Sequence, residues 1–303
     1  MKLKVSIIGA GQVGGSAAQC IAAQGVADVV LVDILGNQTK GKAIDIGQSL
    51  IGCSSDCTIT GSDDFSQIKG SEIVVITAGK PRTKDISRED MLKINCGIMK
   101  KVCKEVTKYA PDAIVITVSN PLDVTTAAAA KYLDIDKKKI IGMGGELDCL
   151  RFAYAIRKRV KVPCSQIQTT VIGMHGKVML PLPEFSSVKG IPLLEMLAPQ
   201  EIEDVVEETK NGGAEIVDLL DEGSAHYAPG EAIKNMVEAV LKDNNTIICS
   251  CVYLEDKDCF LGMPAMLGRK GVVKVVNLKL EKETEVQFND AVKTVKELMK
   301  EIP

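Results

Sequence analysis

Short runs of β-branched and aliphatic residues alternate with amphipathic stretches through the first half of the chain. The runs occupy residues 3–8, 29–33, 57–60, 73–77, 113–118 and 140–142. Strands that alternate with helices are typical of right-handed βαβ units, which place the strands in one parallel sheet. Residues 14–24 carry small apolar side chains at helical spacing and predict the first crossover helix. Its apolar face is made of Ala17, Ala18, Ile21 and Ala22.

The pattern changes after about residue 143. Apolar residues at helical spacing predict one long helix from about residue 202, another over 233–241 and a last one over 288–299. Runs at 246–254, 259–267 and 272–280, punctuated by Gly262, Pro264, Gly268 and Gly271, are typical of antiparallel strands. We therefore predict an α/β fold, with a Rossmann doubly wound parallel sheet in residues 1–143 and an α+β domain in residues 144–303.

Composition excludes several classes of protein. The chain is 46% hydrophobic, 3% aromatic and has no tryptophan, so we expect an aliphatic core. The formal net charge is −3 and no basic stripe is present, which argues against a nucleic-acid partner. Glycines interrupt the apolar start of the chain, so we expect no membrane span or targeting segment, and a cytoplasmic protein. The ten cysteines lack paired CxxC spacing, which favours reduced core thiols over disulfides or a metal site.

The sequence GAGQVG at residues 9–14 lies between the first predicted strand and the first predicted helix. Asp33 closes the next strand, 19 residues after Gly14. In this context the glycines let a pyrophosphate approach a helix N-terminus, and the carboxylate accepts from a ribose 2′-hydroxyl. We predict an NAD site rather than an NADP site, because Asp33 would repel a 2′-phosphate. The alternative is a glycine turn that only packs the helix on the strand.

The chain has two histidines, which limits the choice of a proton-transfer group. His175 follows an apolar run and lies in GMHG, where the flanking glycines leave its ring accessible. An imidazole with an ordinary pKa of about 6.5 can serve as acid and base, so His175 is the candidate. His226 lies where a helix is expected to begin, and we expect it to have a surface or packing role.

Six segments carry a specific combination of motifs. They are IGAGQVGG at 8–15, TAGKPR at 77–82, SRED at 87–90, SNPLD at 119–123, GELDCLRF at 145–152 and GMHG at 173–176. Together they resemble the lactate/malate dehydrogenase family, most closely its lactate-dehydrogenase-like malate dehydrogenases, from residue 1 to about 300. The resemblance implies that the second domain binds the substrate and that hydride passes between NAD and a 2-hydroxy acid.

The resemblance implies a role for each matching residue. His175 is the proton donor and acceptor, and Asp148 orients its ring and stabilises the imidazolium. Arg151, one helical turn after Asp148, binds the substrate carboxylate through two parallel hydrogen bonds. Arg88 belongs to a mobile loop and polarises the reacting carbonyl, and Asn120 contacts substrate and nicotinamide. The implied cofactor residues are Gly9, Gly11, Gln12, Val13, Gly14, Asp33, Thr77, Ala78, Gly79, Asn95, Val118 and Asn120.

Arg82 indicates the substrate within this family. An arginine here accompanies malate and oxaloacetate, whose second carboxylate it pairs, and a monocarboxylate would leave its charge without a partner. The expected activity is the reversible, NAD-dependent oxidation of malate to oxaloacetate, a reaction of the tricarboxylic acid cycle. A lactate dehydrogenase or a broad 2-hydroxyacid dehydrogenase is the alternative. A non-catalytic NAD-binding protein is disfavoured by the intact catalytic set, and a metal-dependent sugar hydrolase by the missing metal site.

The resemblance and the apolar helices near 14–24 and 202–220 also predict a homodimer or homotetramer. Several positions depart from the family pattern. Lys177 follows the His-Gly pair where an aspartate is common, and Glu146 replaces an apolar residue. The loop at 83–86 lacks the usual Pro and Gly, and the hairpin at 254–259 is short. None of these differences removes a catalytic group.

Overall fold

The computed structural model describes residues 3–80, 87–221 and 223–303. The strands are β1 Lys4–Ile8, β2 Asp28–Val32, β3 Ile59–Ser62, β4 Ile73–Ile76, β5 Ile114–Thr117, β6 Ile140–Gly142, β7 Ile167–Gln168, β8 Val171–Ile172, β9 Leu180–Pro181, β10 Ser187–Val188, β11 Ile191–Pro192, β12 Thr246–Leu254, β13 Cys259–Gly268 and β14 Gly271–Val275. The helices are α1 Gln12–Ala23, α2 Gly36–Gly52, α3 Arg88–Tyr109, α4 Leu122–Tyr132, α5 Gly145–Val160, α6 Leu193–Met196, α7 Pro199–Leu220, α8 Tyr227–Lys242 and α9 Lys282–Met299.

The main sheet runs in the order β14-β13-β12-β6-β5-β4-β1-β2-β3. Strands β1 to β6 pair in parallel and form the predicted doubly wound sheet. Helices α1 and α2 contribute to the core on one face, and α3 and α4 contribute to a separate core cluster. The predicted α/β fold is confirmed, and the six predicted parallel strands form within two residues of their expected ends.

The antiparallel strands of the second half extend the same sheet. Cys251 of β12 pairs with Gly142 of β6, so the sheet is continuous across residue 143, where the domain boundary stays a prediction. The strand expected over 272–280 is present as β14 but ends at Val275, so the predicted end at residue 280 was wrong. Val276 donates the last hydrogen bond to the Pro264 carbonyl oxygen at 2.8 Å. Pro264 has no N–H to return a bond, so the ladder ends there.

Helix α1 is buried within the chain. The four residues of its predicted apolar face are fully buried in the main core cluster, which also contains residues of α8. A Cβ added to Gly230 of α8 would lie 2.8 Å from Ser16 Cβ, which shows how closely the two helices approach. The expectation that α1 has spare apolar surface for a subunit contact was therefore wrong. His226, just before α8, lies 3.0 Å from Ser16 Oγ through Nδ1, which fits its predicted packing role.

All ten cysteines are free thiols, and most of them are buried. In the described ranges, no helix combines the length and the apolar character that crossing a bilayer requires.

Candidate active site

The glycine loop connects β1 to α1. Gly9 has φ +107°, and a Cβ on Gly14 would lie 1.9 Å from the Gly9 carbonyl oxygen, so both positions require glycine. Gly11 differs, because a Cβ there would meet no atom within 4 Å. Chain packing therefore does not require glycine at position 11, and the open space beside it leaves room for a group that approaches the loop. The loop fits a dinucleotide, as the motif predicts.

Two side chains hold this loop from α2 and the end of β2. Asp33 Oδ2 accepts from Ala10 N at 2.7 Å, and Lys42 Nζ donates to the carbonyl oxygens of Ala10 at 2.6 Å and Gly11 at 2.9 Å. A Cβ on Gly15 would lie 2.9 Å from Lys42 Cδ, so this glycine gives the lysine room to cross α1. Sequence analysis missed Lys42, because a lysine on a helix is usually a solvated charge.

Polar side chains also connect the loops that follow β4 and β5. Thr77 Oγ1 donates to Gly9 O at 2.8 Å. Asn95 of α3 accepts from Lys80 N at 2.7 Å and donates to Asn120 O at 2.6 Å and to Lys80 O at 3.2 Å. Both amide hydrogens of Asn95 are therefore used inside the protein. Asn95 fixes the position of two loops at the carboxyl edge of the sheet, and its direct contact with a cofactor stays a prediction.

The side chains of Asp148, Arg151 and His175 meet at α5. The helix places Asp148 and Arg151 three residues apart, so both side chains lie on one face. His175 Nδ1 donates to Asp148 Oδ2 at 2.8 Å, and an Arg151 guanidinium nitrogen donates to Asp148 Oδ1 at 3.2 Å. The Asp148 side chain is 2% exposed, whereas His175 and Arg151 each keep 16% of their side-chain surface exposed. The carboxylate is thus a buried anchor for two groups that reach the cavity.

Charges around His175 favour its protonated form. Burial lowers the pKa of His175, but the charge of Asp148 and its hydrogen bond offset this, so the pKa is raised above its ordinary value of 6.5. The positive charge of Arg151 opposes the rise in the His175 pKa, and the negative charge of Asp123 adds to it. Because Nδ1 is bonded to Asp148, Nε2 is the ring nitrogen that remains for a substrate.

The backbone of His175 is fixed from α4 and β13. Asp123 Oδ2 accepts from His175 N at 3.0 Å, and Gly173 pairs with Gly262 through hydrogen bonds of 2.9 and 3.1 Å. A Cβ on Gly144 would lie 3.1 Å from His175 Cβ, so the turn before α5 is also close to the ring. This role of Asp123 was not predicted from the sequence, because an acid in the first turn of a helix usually interacts with the helix dipole.

A cavity of about 380 Å³ extends from Val13, in the first turn of α1, to the catalytic side chains. It is lined by Val13, Val118, Asn120, Met143, Leu147, Arg151, His175, Gly176, Lys177, Met179, Lys210, Gly213, Ala214, Val217, Ser224, Ala225 and Pro229. The contributions of α7 were missed, although Gly212-Gly213 inside a helical pattern gave a signal. Glycine is costly within a helix and indicates close approach. A Cβ on Gly213 would lie 3.1 Å from an Arg151 guanidinium nitrogen.

Comparison with known proteins decides the family. The profile of the lactate/malate dehydrogenase NAD binding domain matches residues 3–142, and that of the lactate/malate dehydrogenase alpha/beta C-terminal domain matches residues 145–303. The chain belongs to the lactate/malate dehydrogenase family. The family resemblance of the motifs is confirmed, and so is the predicted use of NAD.

Both branches of the lactate/malate dehydrogenase family are similar to this chain. A malate dehydrogenase of Methanosarcina mazei is 43% identical over 283 residues, which cover 92% of each chain. The malate dehydrogenase structure from Picrophilus torridus has a TM-score of 0.96 at 35% identity, with 99% of this chain and 97% of that one covered. A lactate dehydrogenase from Cryptosporidium parvum, complexed with lactic acid and nicotinamide adenine dinucleotide, has a TM-score of 0.95 at 32% identity, with 100% and 98% covered.

Two predicted family residues fall where the structure gives no side-chain account. Arg82 and the loop at 83–86 lie outside the described residues, as does the side chain of Arg88, whose backbone begins α3. Of the departures from the family pattern, Lys177 is exposed and lines the cavity. Glu146 accepts from Asn235 Nδ2 at 2.8 Å, which joins α5 to α8, and burial raises the pKa of this carboxyl.

Proposed function

We propose that the chain is an NAD-dependent malate dehydrogenase that interconverts malate and oxaloacetate. The observation that carries the proposal is the Asp148 carboxylate bonded to both His175 and Arg151, at a cavity that Val13 of the glycine motif also lines. Curated relatives about 40% identical over nearly the whole chain carry the name malate dehydrogenase, which supports the substrate. We extend the proposal to a cytoplasmic enzyme of the tricarboxylic acid cycle.

The side chains can perform the proton transfer of this reaction in both directions. Bound NAD supplies the hydride acceptor, and its reduced form the hydride donor. Arg151 binds the carboxylate next to the reacting carbon, which leaves the carbonyl oxygen near His175 Nε2. In reduction, protonated His175 donates its Nε2 proton to that oxygen. Asp148 stabilises the imidazolium before this transfer. In oxidation, neutral His175 accepts the hydroxyl proton. Reduction therefore requires a pH below the raised pKa of His175.

The remaining site residues keep the roles predicted for them. We propose that Arg88 polarises the carbonyl and that Asn120 contacts both substrate and nicotinamide. Cofactor contacts are assigned to Gly9, Gly11, Gln12, Val13, Gly14, Asp33, Thr77, Ala78, Gly79, Asn95, Val118 and Asn120. Asp33 favours NADH over NADPH, since a carboxylate that already accepts from Ala10 N at 2.7 Å can accept from a ribose hydroxyl but repels a phosphate.

Arg82 is proposed to pair the second carboxylate of oxaloacetate, and its replacement tests the choice of substrate. Arg82→Gln should lower kcat/KM for oxaloacetate by roughly 30- to 1000-fold, the equivalent of about 2 to 4 kcal/mol for charge-assisted hydrogen bonds. Pyruvate, which has no second carboxylate, should be reduced as well as before or better. Steady-state oxidation of NADH with each keto acid measures both effects.

Lys210 provides a control, since it is a cation that α7 contributes to the lining of the cavity. Lys210→Met should change the two efficiencies by a similar, small factor. Equal losses for both keto acids in Arg82→Gln would contradict the assignment of Arg82. If Lys210→Met, and not Arg82→Gln, lowers kcat/KM for oxaloacetate more than for pyruvate, the residue that binds the second carboxylate is Lys210. A wild-type enzyme that prefers pyruvate would instead support the lactate dehydrogenase alternative.

We also propose a homodimer or homotetramer, because apolar side chains remain exposed on α2 and α7. Ile44 and Ile51 lie two helical turns apart on α2 and are 63% and 79% exposed, and Leu219 of α7 is 77% exposed. Light scattering at micromolar protein should give at least twice the chain mass of 32.5 kDa. The double variant Ile44→Lys/Ile51→Lys should shift this mass towards that of one chain. A wild-type mass of 32.5 kDa would rule out the assembly.

A further inference from the structure

A second buried carboxylate lies beneath the catalytic segment. Asp123 is 1% exposed, and its Oδ2 accepts from the backbone N–H of His175 at 3.0 Å. Among the described residues, its Oδ1 is buried and has no hydrogen-bond partner. A buried acid that has only one geometrically good hydrogen bond, and the weakly donating Cys251 thiol beside it, is expensive to maintain, so its location next to the proton-transfer residue calls for a functional explanation.

The charged groups that face His175 come from two helices. Helix α5 contributes Asp148 and Arg151, and α4 contributes Asp123. The Cys251 thiol of β12 lies next to Asp123, and burial raises the pKa of this thiol well above its ordinary value, so it stays neutral. The negative charge of Asp148 is shared with Arg151, whereas in the described part of the chain no cation is bonded to Asp123.

We propose that Asp123 is a positioning residue for proton transfer, which holds the His175 backbone in place and stabilises the imidazolium by its charge. This inference rests on the proposed role of His175 as the acid and base. It differs from the role of Asp148, which bonds the ring. Asp148 sets the orientation of the imidazole, and Asp123 sets the position of the residue that carries it.

The proposal has a consequence for acidic pH. Burial raises the pKa of Asp123 to about 6, so the carboxyl is ionised at neutral pH and becomes protonated as the pH falls through that value. Protonation weakens the acceptor of the His175 N–H and removes the charge that favours the imidazolium. The signal of the His175 backbone N–H therefore reports on the protonation of Asp123. The pKa of the His175 ring reports on the negative charge of Asp123.

Selective labelling makes both reports measurable, because the chain contains only two histidines. In protein labelled with ¹⁵N-histidine, two backbone amide signals and two rings are expected, and a His226→Gln variant assigns them. In the wild-type enzyme the His175 amide signal should move in a step near pH 6, separate from the titration of its ring. In Asp123→Asn this step should disappear, and the proton affinity of the His175 ring should fall about three- to tenfold.

Thr126→Val is the matched control, because Thr126 is also fully buried on α4 but carries no charge. It should leave the amide step and the ring titration of His175 unchanged, even if the protein becomes less stable. The proposal is overturned if the ring of His175 titrates normally in folded Asp123→Asn. It is equally overturned if the wild-type amide signal of His175 shows, at acidic pH, no step that disappears in Asp123→Asn. Because neither signal depends on turnover, a wrong substrate assignment would leave this test intact.

Discussion

His175→Asn should lower the rate of keto-acid reduction by about 10²- to 10⁴-fold, the usual contribution of general acid–base catalysis. Asparagine keeps a polar group near Asp148 but has no proton to transfer at the carbonyl oxygen. The loss should be similar for oxaloacetate and pyruvate, since both carbonyls require the same proton. Steady-state kcat values for the two keto acids check this expectation.

Binding of NADH should persist in His175→Asn, because the glycine loop is held by Asp33 and Lys42 and makes no use of His175. The chain has no tryptophan, so the fluorescence of the reduced nicotinamide can be followed directly. The wild-type rate of reduction should fall as the pH rises through the raised pKa of His175, and the residual rate of the variant should not depend on pH in that range. Retention of more than a tenth of the rate, with an unchanged pH profile, would exclude His175 as the proton-transfer group.

The sequence was sufficient to predict the elements whose signal is local. Buried parallel strands such as residues 73–76 and 114–117 are continuous runs of Ile, Val and Thr, and the antiparallel strands at 246–254 and 259–268 are apolar runs on either side of the charged residues 255–258. Strands β7 to β11 have two residues each, too few for a period of two to be detected. The connection of β12 to β6 was also missed, since one residue pair, Cys251 with Gly142, makes it.

The supporting side chains of the site could not be predicted, because their partners are distant in sequence. Asp123 lies 52 residues before His175, and Lys42 lies 32 residues after Ala10. Neither pair has a spacing that a helix or a strand would produce. The predicted catalytic residues came instead from motifs of the family, and the structure brings His175, Asp148 and Arg151 together. Arg82 and Arg88 depend on the resemblance alone.

Arg151 offers the second large effect, because every 2-keto acid has the carboxylate that it is proposed to bind. Its guanidinium already donates to Asp148 Oδ1 at 3.2 Å, and Gly213 leaves space for it. Arg151→Leu removes both the substrate ligand and the partner of a buried carboxylate. Loss of the charge-assisted hydrogen bonds to the substrate carboxylate costs about 3 to 5 kcal/mol of binding free energy, so kcat/KM should fall by roughly 150- to 5000-fold for oxaloacetate and pyruvate alike.

Arg151→Lys separates charge from geometry. An ammonium keeps the positive charge but cannot form two parallel hydrogen bonds with a carboxylate, so the loss should be smaller, about 10- to 100-fold. The charge of Arg151 lowers the pKa of His175, so the leucine variant should raise this pKa and extend reduction to higher pH, whereas the lysine variant should not. A loss of kcat/KM for both keto acids distinguishes Arg151 from Arg82, whose replacement should lower kcat/KM for oxaloacetate only. If Arg151→Leu spares pyruvate, Arg151 binds the second carboxylate, and the assignments of the two arginines must be exchanged.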